Sequence, residues 1–450
     1  MKTSPRFADY WREIKTSIRL ALPFTVNQVL ILANVTVDSI MAGSDSTLTL
    51  AAISQGVAMW DLVILFMLGL LLPISAKIAK LDSASNAEAL QATFWNMVYF
   101  AMLLGAVAVG MLYFSYQLLP FIGIKPAIIP DTKSYLQTIA VGAFLLIAIY
   151  FPFKLWNESI LNLRIIVAIL SLSVPVNIIG NYMFIHGLFG LPKMGATGIA
   201  LASVIGLSVS CGLAAWYMLS APKIKRYHLF DHISKPDWQY FKAFFRLGLP
   251  SSFAMIFEVG AFTFVIFLAG RIGVETSAAT QVAFNYMSNM FMIPLGISLA
   301  LSMRIARAKG KGDTQKVRDI GISGASFISL IALLSMTILL VFDEAIAGLY
   351  SDDPQLIALS STLLFVIALL QIPDGLLIFC SCALRGLENT KIPMLLGFLG
   401  YWGVAIPLGL LLTFYFALGI QGMLIGIVVG TTLSASLGLV KFFQHAARSD

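Results

Sequence analysis

The chain has 450 residues, of which 59% are hydrophobic and only 11% charged, and its mean hydropathy is +0.89. Soluble globular proteins carry about 25% charged residues, so a water-soluble enzyme or binding module is excluded and most of the chain belongs in lipid. The net charge of +7 then reports which loops face the cytoplasm rather than an affinity for nucleic acid.

In chain order, residues 1–19 come first. They mix charges with Phe7, Tyr10 and Trp11 and read as an interfacial helix, without the pattern of a cleavable signal peptide. Apolar segments able to cross about 30 Å of hydrocarbon follow near 20–42, 51–76, 93–115, 134–153, 165–187, 196–219, 247–270, 277–302, 321–342, 356–383, 392–414 and 418–440. The expected fold is therefore all-α and integral to the membrane, with twelve transmembrane helices.

Of the 29 Lys and Arg residues, 25 fall on one side. These lie in the N-terminus, the 77–80 loop, Lys154 and Arg164, the 223–246 linker, the 304–318 loop, Arg385, Lys391 and the C-terminus. Lys125, Lys133, Lys193 and Arg271 fall on the other side. Both termini and the central linker are accordingly expected in the cytoplasm. Cys211, Cys380 and Cys382 all lie in spans and read as small packing residues. His228 and His232 lie in the linker without a third metal ligand nearby. No P-loop, GxSxG or HExxH motif is present, so active transport would have to draw on an ion gradient or a separate subunit.

The chain repeats itself. Arg19-Leu20-Ala21-Leu22-Pro23 returns as Arg246-Leu247-Gly248-Leu249-Pro250, an offset of 227. Ala42-Gly43, Ala51-Ala52 and Lys77-Ile78-Ala79-Lys80 return in the same register as Ala269-Gly270, Ala278-Ala279 and Arg304-Ile305-Ala306-Arg307. Gly195 and Gly198 pair with Gly419 and Gly422 at an offset of 224. Six spans per repeat make the halves parallel repeats, related by an axis along the membrane normal. The expected division is an amino-terminal six-helix bundle (1–220), a cytoplasmic linker (221–246) and a carboxyl-terminal six-helix bundle (247–450), around a central cleft.

A carboxylate at the centre of a span costs roughly 2.5–3.5 kcal/mol, so acids inside spans are functional candidates. Asp38, Glu258 and Asp374 are the main ones. Asp38 has candidate partners in Asn177 and Asn181, whose i, i+4 spacing puts both amides on one helix face. The three can hold a proton, coordinate sodium through oxygen, or simply fix helix packing. Glu258 and Asp374 form a candidate second cation site, because Pro373 frees a carbonyl one turn earlier. None of the three acids repeats: at 227 residues, Asp38 faces Val265 and Glu258 faces Ile31. Asp61, Asp352 and Asp353 are weaker candidates for lining a cleft or its mouth. Phe284, Tyr286 and Met287, with Met290, Phe291 and Met292, offer an adaptable surface to varied ligands, or ordinary helix packing.

The chain resembles the multidrug and toxic compound extrusion (MATE) transporters, in their bacterial NorM-type branch. The resemblance rests on Leu22-Pro23 through Val37-Asp38-Ser39-Ile40-Met41-Ala42-Gly43, on Gly248-Leu249-Pro250 with Phe257-Glu258-Val259, on Asn177 to Asn181-Tyr182, and on Leu384-Arg385-Gly386-Leu387-Glu388-Asn389-Thr390-Lys391-Ile392-Pro393. It implies an antiporter of the bacterial inner membrane that exports organic cations, drugs and dyes in exchange for sodium or protons. It further implies that Asp38 is the amino-half acid, that Glu258 and Asp374 form the carboxyl-half cation site, and that Asp353 and Asp352 stand at the outer mouth. No cofactor is expected beyond the coupling ion, and the partners are the cargo and membrane lipid, with the protein acting as a monomer. The chain departs from the family at Asn157 to Ile166, which lacks the Gly- and Pro-containing turn kept in the other half, and at Asp61, where an apolar residue is expected. The competing function is a flippase for lipid-linked precursors, which would need cations rather than acids inside its cleft.

Overall fold

A computed structural model of the chain describes residues 21–32, 34, 36–38, 41–42, 47–121, 124, 126–188, 192–349 and 353–447. The segment 1–19 lies outside the described residues. In hydrocarbon, backbone N–H and C=O groups must bond within their own segment, which favours helices. Twelve helices among the described residues are long and apolar enough to cross a membrane. They are α1 (Ala21–Asp38), α2 (Ala51–Ser83), α3 (Ala87–Leu118), α4 (Ile129–Ser159), α5 (Leu163–His186), α6 (Gly195–Ser220), α7 (Trp238–Ile272), α8 (Glu275–Gly310), α9 (Thr314–Gly348), α10 (Pro354–Gly386), α11 (Lys391–Tyr415) and α12 (Ile420–Ala446).

Several helices overrun the apolar segments, because a helix continues past the hydrocarbon edge until a breaker or cap stops it. For α4 this matters: it runs on to Ser159 and carries Lys154 into the helix, where it is 7% exposed. The charge count had placed Lys154 in a loop.

The described chain falls into two units. One is Val26–Ser252; the other takes the residues up to Thr25 and those from Phe253 on. Both boundaries lie inside helices, α1 and α7. In the first unit, the start of α7 packs on α2: Ser252 Oγ donates to the Phe66 carbonyl at 2.7 Å, and a Cβ on Gly248 would collide with the Leu70 backbone. In the second unit, Thr25 packs against Gly296 of α8, much as Ser252 packs against Gly69. Gly69 and Gly296 are 227 apart, as are Thr25 and Ser252, so the repeat includes this arrangement.

The turns repeat as well. Ser85 and Gly312 both adopt positive φ, 56° and 69°. The next residues, Asn86 and Asp313, cap α3 and α9 by accepting from Ala89 N at 3.1 Å and Lys316 N at 2.9 Å. Such caps contribute about 1 kcal/mol each. Leu161 and Glu388 share φ values of 56° and 61°. Asn162 N donates to Asn157 O at 2.7 Å, and Asn389 N to Leu384 O at 2.9 Å. The Asn157–Ile166 turn thus keeps the geometry of its counterpart despite lacking its Gly and Pro, since backbone hydrogen bonds rather than residue type hold it. Beside it, Ser159 Oγ donates to Ser75 O at 2.8 Å, while Gly386 packs against Ser302 O. Gly195 and Gly419 have φ of 49° and 59° at the starts of α6 and α12, matching the sequence offset of 224.

Small residues let α11 and α12 approach closely. A Cβ on Gly430 would overlap the Gly400 carbonyl and lie 2.8 Å from Ala405 Cβ. We expect Gly430→Val to cost at least the ~1–3 kcal/mol of ordinary overpacking and to lower the melting temperature in detergent. Gly110→Val, where nothing lies within 4 Å, should leave it unchanged. Fluorescence-detected size exclusion after heating measures both.

Candidate functional site

Asp38 closes α1, and two other helices reach its carboxylate. Asn181 Nδ2 on α5 donates to Oδ1 at 2.6 Å, and Ser203 Oγ on α6 donates to Oδ2 at 3.3 Å. Asn177, one turn earlier on α5, donates to Ser203 Oγ at 3.1 Å and accepts from Asn181 Nδ2 at 3.2 Å. Gly180 lets α5 and α6 meet here, for a Cβ on it would come within 2.9 Å of Ala202 Cβ. Both donors to Asp38 are neutral. Asn181 Oδ1 is buried with no hydrogen-bond partner, so an acceptor is left unfilled beside the carboxylate. One carboxylate, two carboxamides and a hydroxyl form an all-oxygen acceptor set suited to a hard cation or a shared proton. The Tyr135 ring of α4 lies against Gly56 of α2 and within electrostatic reach of both Asp38 and Asp61. Asp61 itself is exposed.

In the other unit, Glu258 of α7 and Asp374 of α10 lie within reach of each other's charge, and Tyr401 of α11 within reach of both. Asp374 is buried and Glu258 half-buried. The Tyr401 hydroxyl is buried without a hydrogen-bond partner. An eight-residue π-helical stretch of α11, Phe398–Ala405, carries Tyr401, and the Phe262 ring packs edge-on to it at 5.8 Å. Such stretches break the regular register and are frequent at functional sites. Arg385, further along α10, acts on Glu258 and donates through Nη2 to Cys382 Sγ at 2.9 Å. Its guanidinium offsets part of the negative charge of the acid pair.

The MatE family matches this chain over residues 23–183 and again over 250–411. The chain belongs to the MatE family. The two matched segments begin 227 residues apart, the offset of the internal repeat. A probable multidrug resistance protein NorM from Xanthomonas campestris pv. campestris is 32% identical over 455 residues, covering 99% of this chain and 96% of that protein. A multidrug resistance protein NorM from Aliivibrio fischeri is 30% identical, with 95% and 94% covered. A solved structure, the outward-facing conformation of a multidrug resistance MATE family transporter of the MOP superfamily, shares the fold at a TM-score of 0.86 and 19% identity, over 99% of both chains. As a MatE protein the chain is a multi-pass membrane transporter, not an enzyme.

The structure of this MatE chain assigns other positions as well. Asp353 is the N-cap of α10 and accepts from Gln355 N at 3.0 Å; Asp352 lies outside the described residues. Phe284 and Met287 are 5% and 8% exposed in the hydrophobic core of their unit, and Tyr286 packs against that core. Ser203, Tyr135, Tyr401 and the reach of Arg385 to Glu258 escaped the sequence reading. Only Arg385 carried a charge signal, and it had been counted with the loops.

The sequence reading also missed an intramembrane acid. Glu158, near the end of α4, accepts Lys154 Nζ at 3.4 Å, with side chains 3% and 9% exposed. A buried ion pair is costly to break because its remaining partner is left unpaired. We expect Lys154→Met to destabilise the protein by about 3–5 kcal/mol, and the double variant Lys154→Met/Glu158→Leu to recover most of that loss. Thermal shift in detergent compares the two.

Proposed function

We propose that this MatE transporter is a secondary antiporter that exports organic cations, drugs and dyes from the cytoplasm in exchange for sodium ions or protons. The observation that carries this reading is Asp38, a membrane-embedded carboxylate met by the neutral donors Asn181 and Ser203 beside the unfilled acceptor of Asn181. Such a carboxylate can take a proton or a cation without first losing an ion-pair partner. The pair Glu258 and Asp374 supplies a second cation site, its charge tempered by Arg385. The names of the relatives, multidrug resistance proteins, support a cargo of varied small molecules. The basic loops support both termini in the cytoplasm of a bacterial inner-membrane protein, and we take the monomer as the working unit.

The mechanism requires ion and cargo to favour different states. An ion arriving at Glu258 and Asp374, or a proton arriving at Asp38, favours the state that releases cargo. The cargo favours the state in which the acids are ionised.

In everted membrane vesicles loaded by ethidium uptake, Asp38→Asn should abolish export while the purified variant stays folded. Export at the wild-type rate would remove Asp38 from the mechanism. Glu258→Gln and Asp374→Asn should each weaken the response to an imposed gradient. Sodium and pH gradients applied separately identify the ion, and an unchanged response to both would remove this pair from coupling.

A further inference from the structure

Between α3, α4 and α6 lies a groove of about 270 Å³ remote from the acids of the transport sites, lined by Phe94, Met102, Phe144, Ile149, Pro152 and Met218 among others. Met102 and Ile149 are 47% and 37% exposed, so the groove opens on a face that meets lipid tails. A π-helical stretch of α4, Leu145–Tyr150, forms part of its wall. The groove does not end in apolar surface. Its wall residue Phe153 packs edge-on to Tyr217 at 6.4 Å. The Tyr217 hydroxyl accepts from Asn162 Nδ2 at 2.9 Å, and Asn162 Oδ1 accepts from Lys223 Nζ at 3.0 Å. From the other side, Met218 Sδ is 3.7 Å from Asn157 Nδ2, and Asn157 Oδ1 accepts from Asn162 at 2.7 Å.

Lys223, in the short helix Pro222–Lys225 after α6, lies in the field of two more cations, Arg226 and Arg164. All three are exposed. Arg226 donates to the Tyr227 hydroxyl at 2.9 Å, with its guanidinium 4.8 Å from the ring centroid. Asp82 also faces Tyr227, leaving three cations against one acid. Partial burial, then the charges of Arg226 and Arg164, hold the Lys223 ammonium below its usual range. An anion at the cluster would relieve that repulsion. Trp216, 66% exposed one residue before Tyr217, suits the membrane–water interface.

We propose that Arg164, Lys223 and Arg226 bind the phosphate of an anionic phospholipid, one acyl chain of which lies in the groove between α3, α4 and α6. Charge complementarity selects the headgroup, and the apolar groove beside the basic cluster selects a lipid over a free anion. Basic pockets between transmembrane helices are known to suit such headgroups, at about 1 kcal/mol per Lys or Arg.

The test uses the purified full-length protein in neutral detergent. Its tryptophan fluorescence is titrated with phosphatidylglycerol carrying brominated acyl chains, and separately with the matching brominated phosphatidylcholine. Phosphatidylglycerol should quench at a mole fraction several-fold lower. Lys223→Gln and Arg164→Gln should each reduce that preference by about fivefold, and Ala215→Phe, which fills the groove, should lower the quenching reached by phosphatidylglycerol. Equal quenching by the two lipids, or a preference unchanged in the Arg164→Gln/Lys223→Gln double variant, would overturn the proposal. Competition by millimolar inorganic phosphate that removes the preference would overturn it too, by assigning the cluster to a free anion. Monodisperse elution of each variant establishes that it is folded.

Discussion

Inside hydrocarbon, a backbone amide or a carboxylate has no water to bond to, and each polar group must find its partner within the protein. This constraint makes the chain a set of helices. It also decides where the helices are allowed to meet. Gly430 against Gly400 and Gly180 against Ala202 are contacts in which the absence or smallness of a side chain brings backbones together. No hydrophobic force draws helices together in lipid, so close packing and polar contacts have to do so. Ser252 to Phe66 and Ser159 to Ser75 are contacts of the second kind.

The duplicated frame shows how this constraint is met twice with different residues. The turn at Leu161 and the turn at Glu388 have the same backbone and few residues in common. What persists is the hydrogen-bond pattern, because that is what burial demands. The side chains placed on the frame are free to differ. Glu158 and Arg385 occupy equivalent positions 227 residues apart with opposite charge. Glu158 is neutralised within its own helix by Lys154, whereas Arg385 acts on an acid of another helix, Glu258. A symmetric scaffold therefore carries two electrostatically different halves.

The candidate sites were partly legible. Asp38, Glu258 and Asp374 stood out because an acid in a span is expensive, and Asn177 and Asn181 because their spacing is that of one helix face. Ser203 and Tyr401 did not stand out, since a serine or tyrosine in a span costs little and gives no signal. Their relevance comes from neighbours far away in the chain: Ser203 reaches Asp38 across 165 residues. Lys154 and Glu158 were hidden for another reason. Hydropathy marks where the lipid-soluble stretch ends, not where the helix ends, so a charged last turn folded into the protein reads as a loop.

The sequence by itself determined twelve membrane helices, two parallel halves at a constant offset, and three acids outside the repeat. Each of these is a local sum or a comparison of one stretch with another: hydropathy over a span, a motif against its copy, a charge against its surroundings. Only the tertiary structure decided which groups meet the acids, that Lys154 is buried against Glu158, and that an apolar groove ends beside three cations. These depend on the angles and offsets at which helices cross. Crossings are set by the joint shapes of two surfaces, information that no single stretch of the chain contains.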